Sequence, residues 1–150
     1  MNMLLMALRA QRPSEMPDMK AVAKPLWIWR GYEAMTFFGH IITHSKEEAE
    51  AFNCQSNALK NHELIHLYQA RSTHDSWLCF YALYIGYWLR ATFACRTLRN
   101  AGYRLNPFEM EAYAHMDDSD YLRHRQEATE WRRYARLTIQ QRLSLLRLGA

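Results

Sequence analysis

The sequence predicts an α+β domain that is mostly helical, with a short N-terminal β-hairpin or small sheet and four to five helices. Three observations carry this expectation. At 150 residues the chain is long enough for one domain with one core and too short for two. Hydrophobic residues make up 49% of it while Gly and Pro number 5 and 4, which argues against a disordered chain and against a loop-rich disulfide scaffold. All the strand signal lies in one stretch, LWIWRGYEAMTFFGHIIT from Leu26 to Thr43, where aromatic and β-branched residues are punctuated by Gly31 and Gly39.

The elements follow in order. Residues 1–24, with Pro13 and Pro17, predict a loosely attached arm, and 25–150 a single domain ending in a basic amphipathic helix. The apolar run MLLMAL is short, has no basic n-region and precedes no small-residue cleavage site, so a secretory leader is not expected. Ser45 with Glu48 three residues on is a capping box, predicting a helix from near Lys46. A break between Asn53 and Asn57, with Ser56 as a second cap candidate, precedes a helix from about Asn57 to Arg71. Asp75 or Ser76 opens a third helix. Asn106-Pro107 opens a fourth, supplying an N-cap and a proline at the first helical position. A last helix is expected from about Ser119 to Leu146, packing an apolar stripe through Trp131, Leu143 and Leu146 while its arginines face water.

Charge is uneven. Up to Asp120 there are 12 basic and 13 acidic residues, whereas from Tyr121 onward 7 arginines face only Glu127 and Glu130. The net charge of +4 is therefore a property of the C-terminal helix. No recognised module accompanies these arginines, so nucleic acid is not the favoured partner. Cys54, Cys79 and Cys95 form no CxxC pair and are odd in number, which favours free thiols in a reducing compartment, the cytoplasm or the cytoplasmic face of a membrane. The charge-free run Trp77 to Leu89 amounts to about 20 Å of helix against about 30 Å of bilayer hydrocarbon. A buried central helix is the first expectation. A peripheral membrane contact through this run and the Arg-rich C-terminal helix is the second.

The chemistry concentrates in NHELIHLYQ, Asn61 to Gln69. Positions four apart lie above one another on a helix, so His62 and His66 can present imidazole nitrogens to one ion. Glu63 is offset by about 100°, beside such an ion, where a carboxylate suits a general base for an activated water. Gln69, three after His66, is placed to orient that histidine. The same letters are compatible with two histidines and a glutamate on an ordinary half-exposed helix.

A catalytic zinc needs a third protein ligand from another element. NPFEMEAYAH, Asn106 to His115, offers Glu109 and Glu111 on a capped helix followed by small Ala112 and Ala114. A helix packing through Ala112 directs Glu109 toward its neighbour and swings Glu111 away. Against this, Glu109 is also the N3 residue behind the Asn106 cap, where a carboxylate is favoured without any metal.

HExxH followed by a helix carrying ExxA resembles the gluzincin metallopeptidases. The chain is similar, in GYEAMTFFGHIITHS, NHELIHLYQ and YRLNPFEMEAYAH with DYLRHR beyond, to a family of small bacterial zinc-metallopeptidase-like proteins. The resemblance spans most of Gly31 to Arg125. It implies a minimal zincin-like domain that hydrolyses peptide bonds, with zinc as cofactor, His62, His66 and Glu109 as its ligands, Glu63 as base and a peptide or protein as substrate. Tyr113 stands where larger gluzincin families often carry Asp or Asn. Tyr103, Tyr113 and His115 are candidates to stabilise the oxyanion, and Tyr113 joins Glu63 in the expected catalytic set. Such architectures run an edge strand along the cleft for substrate pairing; here only Met35 to His44 can supply it, unless those strands merely roof the core. His40 and His44 are expected to be incidental. The reading from a different class is a non-catalytic zinc-binding or membrane-associated scaffold.

Overall fold

Gly39 shows how tightly the sheet is built onto the helices. The computed structural model describes residues 12–16, 20–23, 34–54, 58–96 and 98–148. Within them, strands β1 (Lys20–Ala23), β2 (Ala34–Phe37) and β3 (His40–Thr43) form one sheet in the order β1-β3-β2. β2 and β3 are an antiparallel hairpin with Phe37 opposite His40, turned by Phe38 and Gly39, both at positive φ as a two-residue hairpin turn requires. A Cβ on Gly39 would lie 2.3 Å from the Met16 sulfur and 3.2 Å from the Trp77 ring, so only glycine lets this turn sit against both. The expected hairpin is present; Leu26 to Glu33 lies outside the described residues.

The stretch expected as an arm contributes structure. β1 pairs in parallel with β3, Lys20 opposite His40 and Ala23 opposite Thr43. A 3₁₀ turn, Pro13–Glu15, is tied to the motif helix: Arg71 donates from Nε to the Pro13 carbonyl (3.1 Å) and from a terminal nitrogen to that of Met16 (2.6 Å). Residues 1–11, 17–19 and 24 lie outside the described set.

Seven α-helices follow among the described residues: α1 (Lys46–Cys54), α2 (Ala58–Ser72), α3 (Trp77–Ala94), α4 (Ala101–Arg104), α5 (Pro107–His115), α6 (Trp131–Arg136) and α7 (Ile139–Leu148). The domain is α+β and mostly helical, as expected. The local signals work where they are strongest. Glu48 N–H donates to Ser45 Oγ (3.1 Å) and Ser45 N–H to the Glu48 carboxylate (3.3 Å), a complete capping box. Ser76 caps α3 and Asn106 caps α5. The Asn53 side chain pairs with both the N–H (2.9 Å) and the carbonyl (3.2 Å) of Ala21, so α1 closes the outer edge of β1 as another strand would.

The short helix α4 adds to those expected, and the expected last helix is not one element. Residues 116–130 hold turns instead, and Leu137 is extended (ψ 148°) between α6 and α7. The second break is encoded locally: Thr138 N–H donates to the Gln141 side chain and Gln141 N–H to Thr138 Oγ1 (2.8 and 3.2 Å), a Thr-x-x-Gln capping box that starts α7. Nor do all its arginines face water. Arg142 is fully buried and donates to the carbonyls of Leu105, Ala135 and Leu137, the C-terminal ends of α4 and α6.

The main core gathers Met16, Ile41, Phe52, Leu67, Trp77, Phe80, Phe108 and Trp131 from the sheet and from α1, α2, α3, α5 and α6. It sets α2 against α5, and a second cluster around Ile65 and Ala112 continues that contact.

Candidate metal centre

The contact between α2 and α5 runs through small and branched residues. Ala112 is fully buried in the cluster with Ile65, which brings the two backbones close, as a helix packing through Ala112 should. One turn before Ala112, the Glu109 carboxylate reaches the histidines of α2. Its Oε2 lies 3.2 Å from His62 Nε2, its Oε1 lies 3.4 Å from His66 Nε2, and the two Nε2 atoms are 3.2 Å apart. Ligand atoms about 2.05 Å from a tetrahedral ion are themselves about 3.3 Å apart; each imidazole meets a different oxygen of the carboxylate at close to that spacing, and one ligand atom from each of the three residues lies within 4.8 Å of the other two. All three residues are buried, and they form the one candidate metal cluster among the described residues.

The donor set is also unsatisfied without an ion. Buried Glu109 Oε2 has no hydrogen-bond partner despite its proximity to His62. A buried carboxylate oxygen left in that state costs about 1–3 kcal/mol or more, and a cation between the three groups would remove the deficit. His62, His66 and Glu109 therefore fit a zinc ion.

The surroundings orient the ligands. Gln69 Nε2 donates to the Phe108 carbonyl (2.9 Å) and to Glu111 Oε2 (2.8 Å), which leaves its Oε1 as acceptor toward His66 Nδ1 at 2.8 Å. His66 must then carry a proton on Nδ1, so in the neutral ring the lone pair is on Nε2, pointing at the cluster. Tyr84 donates its hydroxyl to Glu109 Oε1 at 2.7 Å, and Asn106 Nδ2 donates to the Tyr84 carbonyl at 3.1 Å, binding the cap of the ligand helix to the same turn of α3. Tyr84 is a site residue that the sequence did not single out; the only signal for it is that Tyr81, Tyr84 and Tyr87 repeat every third residue.

Glu111 is not part of this cluster. Its oxygens accept from Gln69 Nε2, from the Tyr121 hydroxyl (2.7 Å), and from the backbone N–H groups of Glu130 (2.9 Å) and Trp131 (3.0 Å). It anchors the irregular stretch between α5 and α6 to the centre of the molecule.

Glu63 is buried beside the cluster, and its charge acts on both His66 and Tyr81. Tyr81 in turn accepts from the Phe38 N–H at the end of β2 (3.0 Å). Tyr113 is 53% exposed and sets its ring edge-on to His62 at 4.7 Å, marking the open side of the cluster. Its hydroxyl is 3.0 Å from that of Tyr103, whose own pKa is pushed far up by burial and then by the Glu109 charge. His115 is engaged elsewhere: Nε2 pairs with the Glu130 carboxylate, and the ring stacks on Tyr121 at 3.7 Å. His40 and His44 take no part in the cluster.

Electrostatics follow from this geometry. Burial, the largest single influence, lowers the His66 pKa, but the charge and hydrogen bond of Glu109, the charge of Glu63 and the bond to Gln69 together outweigh it and push the group up from 6.5 to about 9. Burial would raise Glu109, and the charges and hydrogen bonds of His66 and His62 together hold it well below the usual carboxylate range instead. Without metal, the cluster therefore sets a protonated His66 against an ionised Glu109.

Compared with known proteins, the chain matches no family model, no curated protein and no solved structure.

Elemental analysis of purified protein should find one zinc per chain in wild type, none in Glu109→Ala, and one in Glu111→Ala, which should instead lose about 3 kcal/mol or more of stability through its orphaned donors. Tyr84→Phe should weaken zinc binding about 10- to 100-fold. Metal loss in Glu111→Ala alone would reverse the ligand assignment. For chelator-stripped protein, the raised His66 pKa means stability is fully present below pH 6.5 and declines as pH rises through about 9. That loss is on the order of 3 kcal/mol, while zinc affinity should tighten over the same window because the imidazole must lose its proton to ligate. Melts and zinc titrations across this range check both slopes; a flat melting profile would contradict the first.

Proposed function

We propose that the chain is a zinc-dependent peptide hydrolase in which His62, His66 and Glu109 hold the ion and Glu63 is the general base. The observation that carries this reading is the convergence, within 4.8 Å, of two imidazole nitrogens and a carboxylate oxygen from two helices, with a buried glutamate beside them. Zinc bound there would polarise a carbonyl and lower the pKa of a water toward neutrality.

The chain's own groups supply the rest. Glu63 takes the proton of the attacking water as the oxygen adds to the carbonyl carbon, and returns it to the amine nitrogen as the C–N bond breaks. Gln69 and Tyr84 keep His66 and Glu109 in the geometry that leaves their inward atoms free. Tyr113, on the open side and against His62, is the hydroxyl best placed to donate to the developing oxyanion, with Tyr103 orienting it.

Substrate presentation is argued from the sheet. Among the described residues β2 is an edge strand that packs beside α2. The Phe38 N–H to Tyr81 bond links its end to the neighbourhood of Glu63. An extended peptide pairing with β2 would lie along the sheet edge beside α2, the helix that carries Glu63 and both histidines.

The burial of all three ligands and of Glu63 favours a second reading, a closed zinc site that only ties α2 to α5. Activity separates the two. Glu63→Gln should retain full zinc and lose at least about 100-fold in kcat on a peptide that wild type cleaves, and Tyr113→Phe should lower kcat with little change in KM. A wild type carrying zinc yet inert toward a broad peptide library would sink the hydrolase and leave the tether.

A further inference from the structure

We propose that the outer face of α3 docks the protein onto an anionic lipid surface, with α3 lying along that surface. This is independent of the metal site. Trp77, Phe80 and Ala91 bury one side of the helix, and the opposite side is apolar as well. Leu78, Ile85, Leu89 and Phe93, which share one stripe at helical spacing, are 60, 54, 40 and 65% exposed. The stripe covers roughly four turns, or about 22 Å. Ala82 and Gly86 complete it, and a Cβ on Gly86 would meet nothing within 4 Å. Trp88 and Leu83 flank it, both partly exposed. A helix that is apolar all round requires a second partner for its outer face. No helix among the described residues is long and apolar enough to cross a membrane.

Charge identifies the partner. From Trp77 to Met116 the only acidic residues are Glu109 and Glu111, both buried in the interior, while Arg90, Arg96, Arg99 and Arg104 are exposed. The cluster of Ala91, Cys95, Ala101, Leu105 and Leu143 gathers α4 and α7 around the end of α3. One turn beyond Leu143, α7 adds exposed Arg147 beside Leu145 and Leu148. Most exposed acids sit elsewhere, as Glu47, Glu48 and Glu50 on α1, Asp117, Asp118 and Asp120 after α5, and Glu127 before α6; half-buried Asp75, bonded to Ser14 beside exposed Glu15, lies at the N-terminal end of α3, away from the arginines at its other end. A second copy seated on this stripe would bring two sets of arginines together with no carboxylate from α3, α4, α5 or α7 to offset them. An anionic headgroup layer supplies that charge over the whole area while its acyl region receives Leu78, Ile85, Leu89 and Phe93. Of the charge-free run Trp77 to Leu89, Trp77 itself is core; the contact shifts toward the C-terminal half of the helix.

The test is co-sedimentation of the full chain with vesicles of phosphatidylcholine alone and of phosphatidylcholine mixed with phosphatidylglycerol. Binding is expected only to the anionic vesicles and should fall steeply with added salt. Arg96→Gln and Arg99→Gln should each lower the partition coefficient about fivefold, and Ile85→Glu and Phe93→Glu should abolish binding. Because these side chains are exposed, circular dichroism and melting should be unchanged. No binding to either vesicle, equal binding to both, or undiminished binding by Ile85→Glu would each overturn the proposal. So would a stable dimer in sedimentation equilibrium that Ile85→Glu dissociates and that ignores vesicles, since a second copy would then cover the face.

Discussion

The architecture depends on the hydrogen bonds of one buried amide, Gln69. It is fully buried on α2, and its three bonds reach three different functions: His66 of the metal cluster, the Phe108 carbonyl in the first turn of α5, and the Glu111 carboxylate. A buried amide is costly unless every bond is made. Here each bond also fixes a geometry. The bond to Phe108 sets how far α5 lies along α2, which is what brings Glu109 to the histidines. The bond to His66 sets the tautomer. The bond to Glu111 extends the same network into the segment between α5 and α6.

From there the polar network continues without interruption. Glu111 collects four donors, two of them backbone N–H groups at the start of α6, and Trp131 Nε1 donates to Ser72 Oγ at 2.9 Å, returning the chain to the end of α2. At the other end of α5, Asn61 Nδ2 is shared by the carbonyls of His115, Met116 and Asp118, one residue before the first metal histidine. The cluster is thus held at both ends of the α2–α5 contact by side chains that touch no ion. In a low-dielectric interior such networks are all-or-none, which explains why residues 116–130 keep an irregular path: a continuous helix there would remove the N–H groups that satisfy Glu111.

The surface carries two separate features. The exposed ring of Tyr113 lies edge-on to His62 on the open side of the cluster. The outer face of α3 carries apolar side chains and arginines. The inner face of α3 supplies Tyr84 to Glu109, so one helix serves the metal cluster with one side and an external surface with the other.

How much of this was legible depends on the range of the forces involved. Local signals read truly: the Ser45 and Asn106 caps, the hairpin around Gly39, the i, i+4 spacing of His62 and His66, and the turning of Glu109, not Glu111, toward those histidines by a helix that packs through the small Ala112. Each is settled within a turn or two of chain by backbone geometry. The Thr138 capping box was equally local and was overridden by an apolar period that runs on through Leu143. Other features had no local trace. That Glu111 is a structural anchor, that Tyr84 holds the Glu109 carboxylate, that Arg142 closes two helix ends from the interior, and that the apolar run of α3 leaves one face bare all depend on partners tens of residues away. The sequence by itself determined helices α1, α2, α3 and α5, the caps of α1, α3 and α5, and the two imidazoles on one face. Tertiary structure alone decided which buried polar groups meet, because each must find its hydrogen bonds from whatever the packing of α2, α3 and α5 brings within reach.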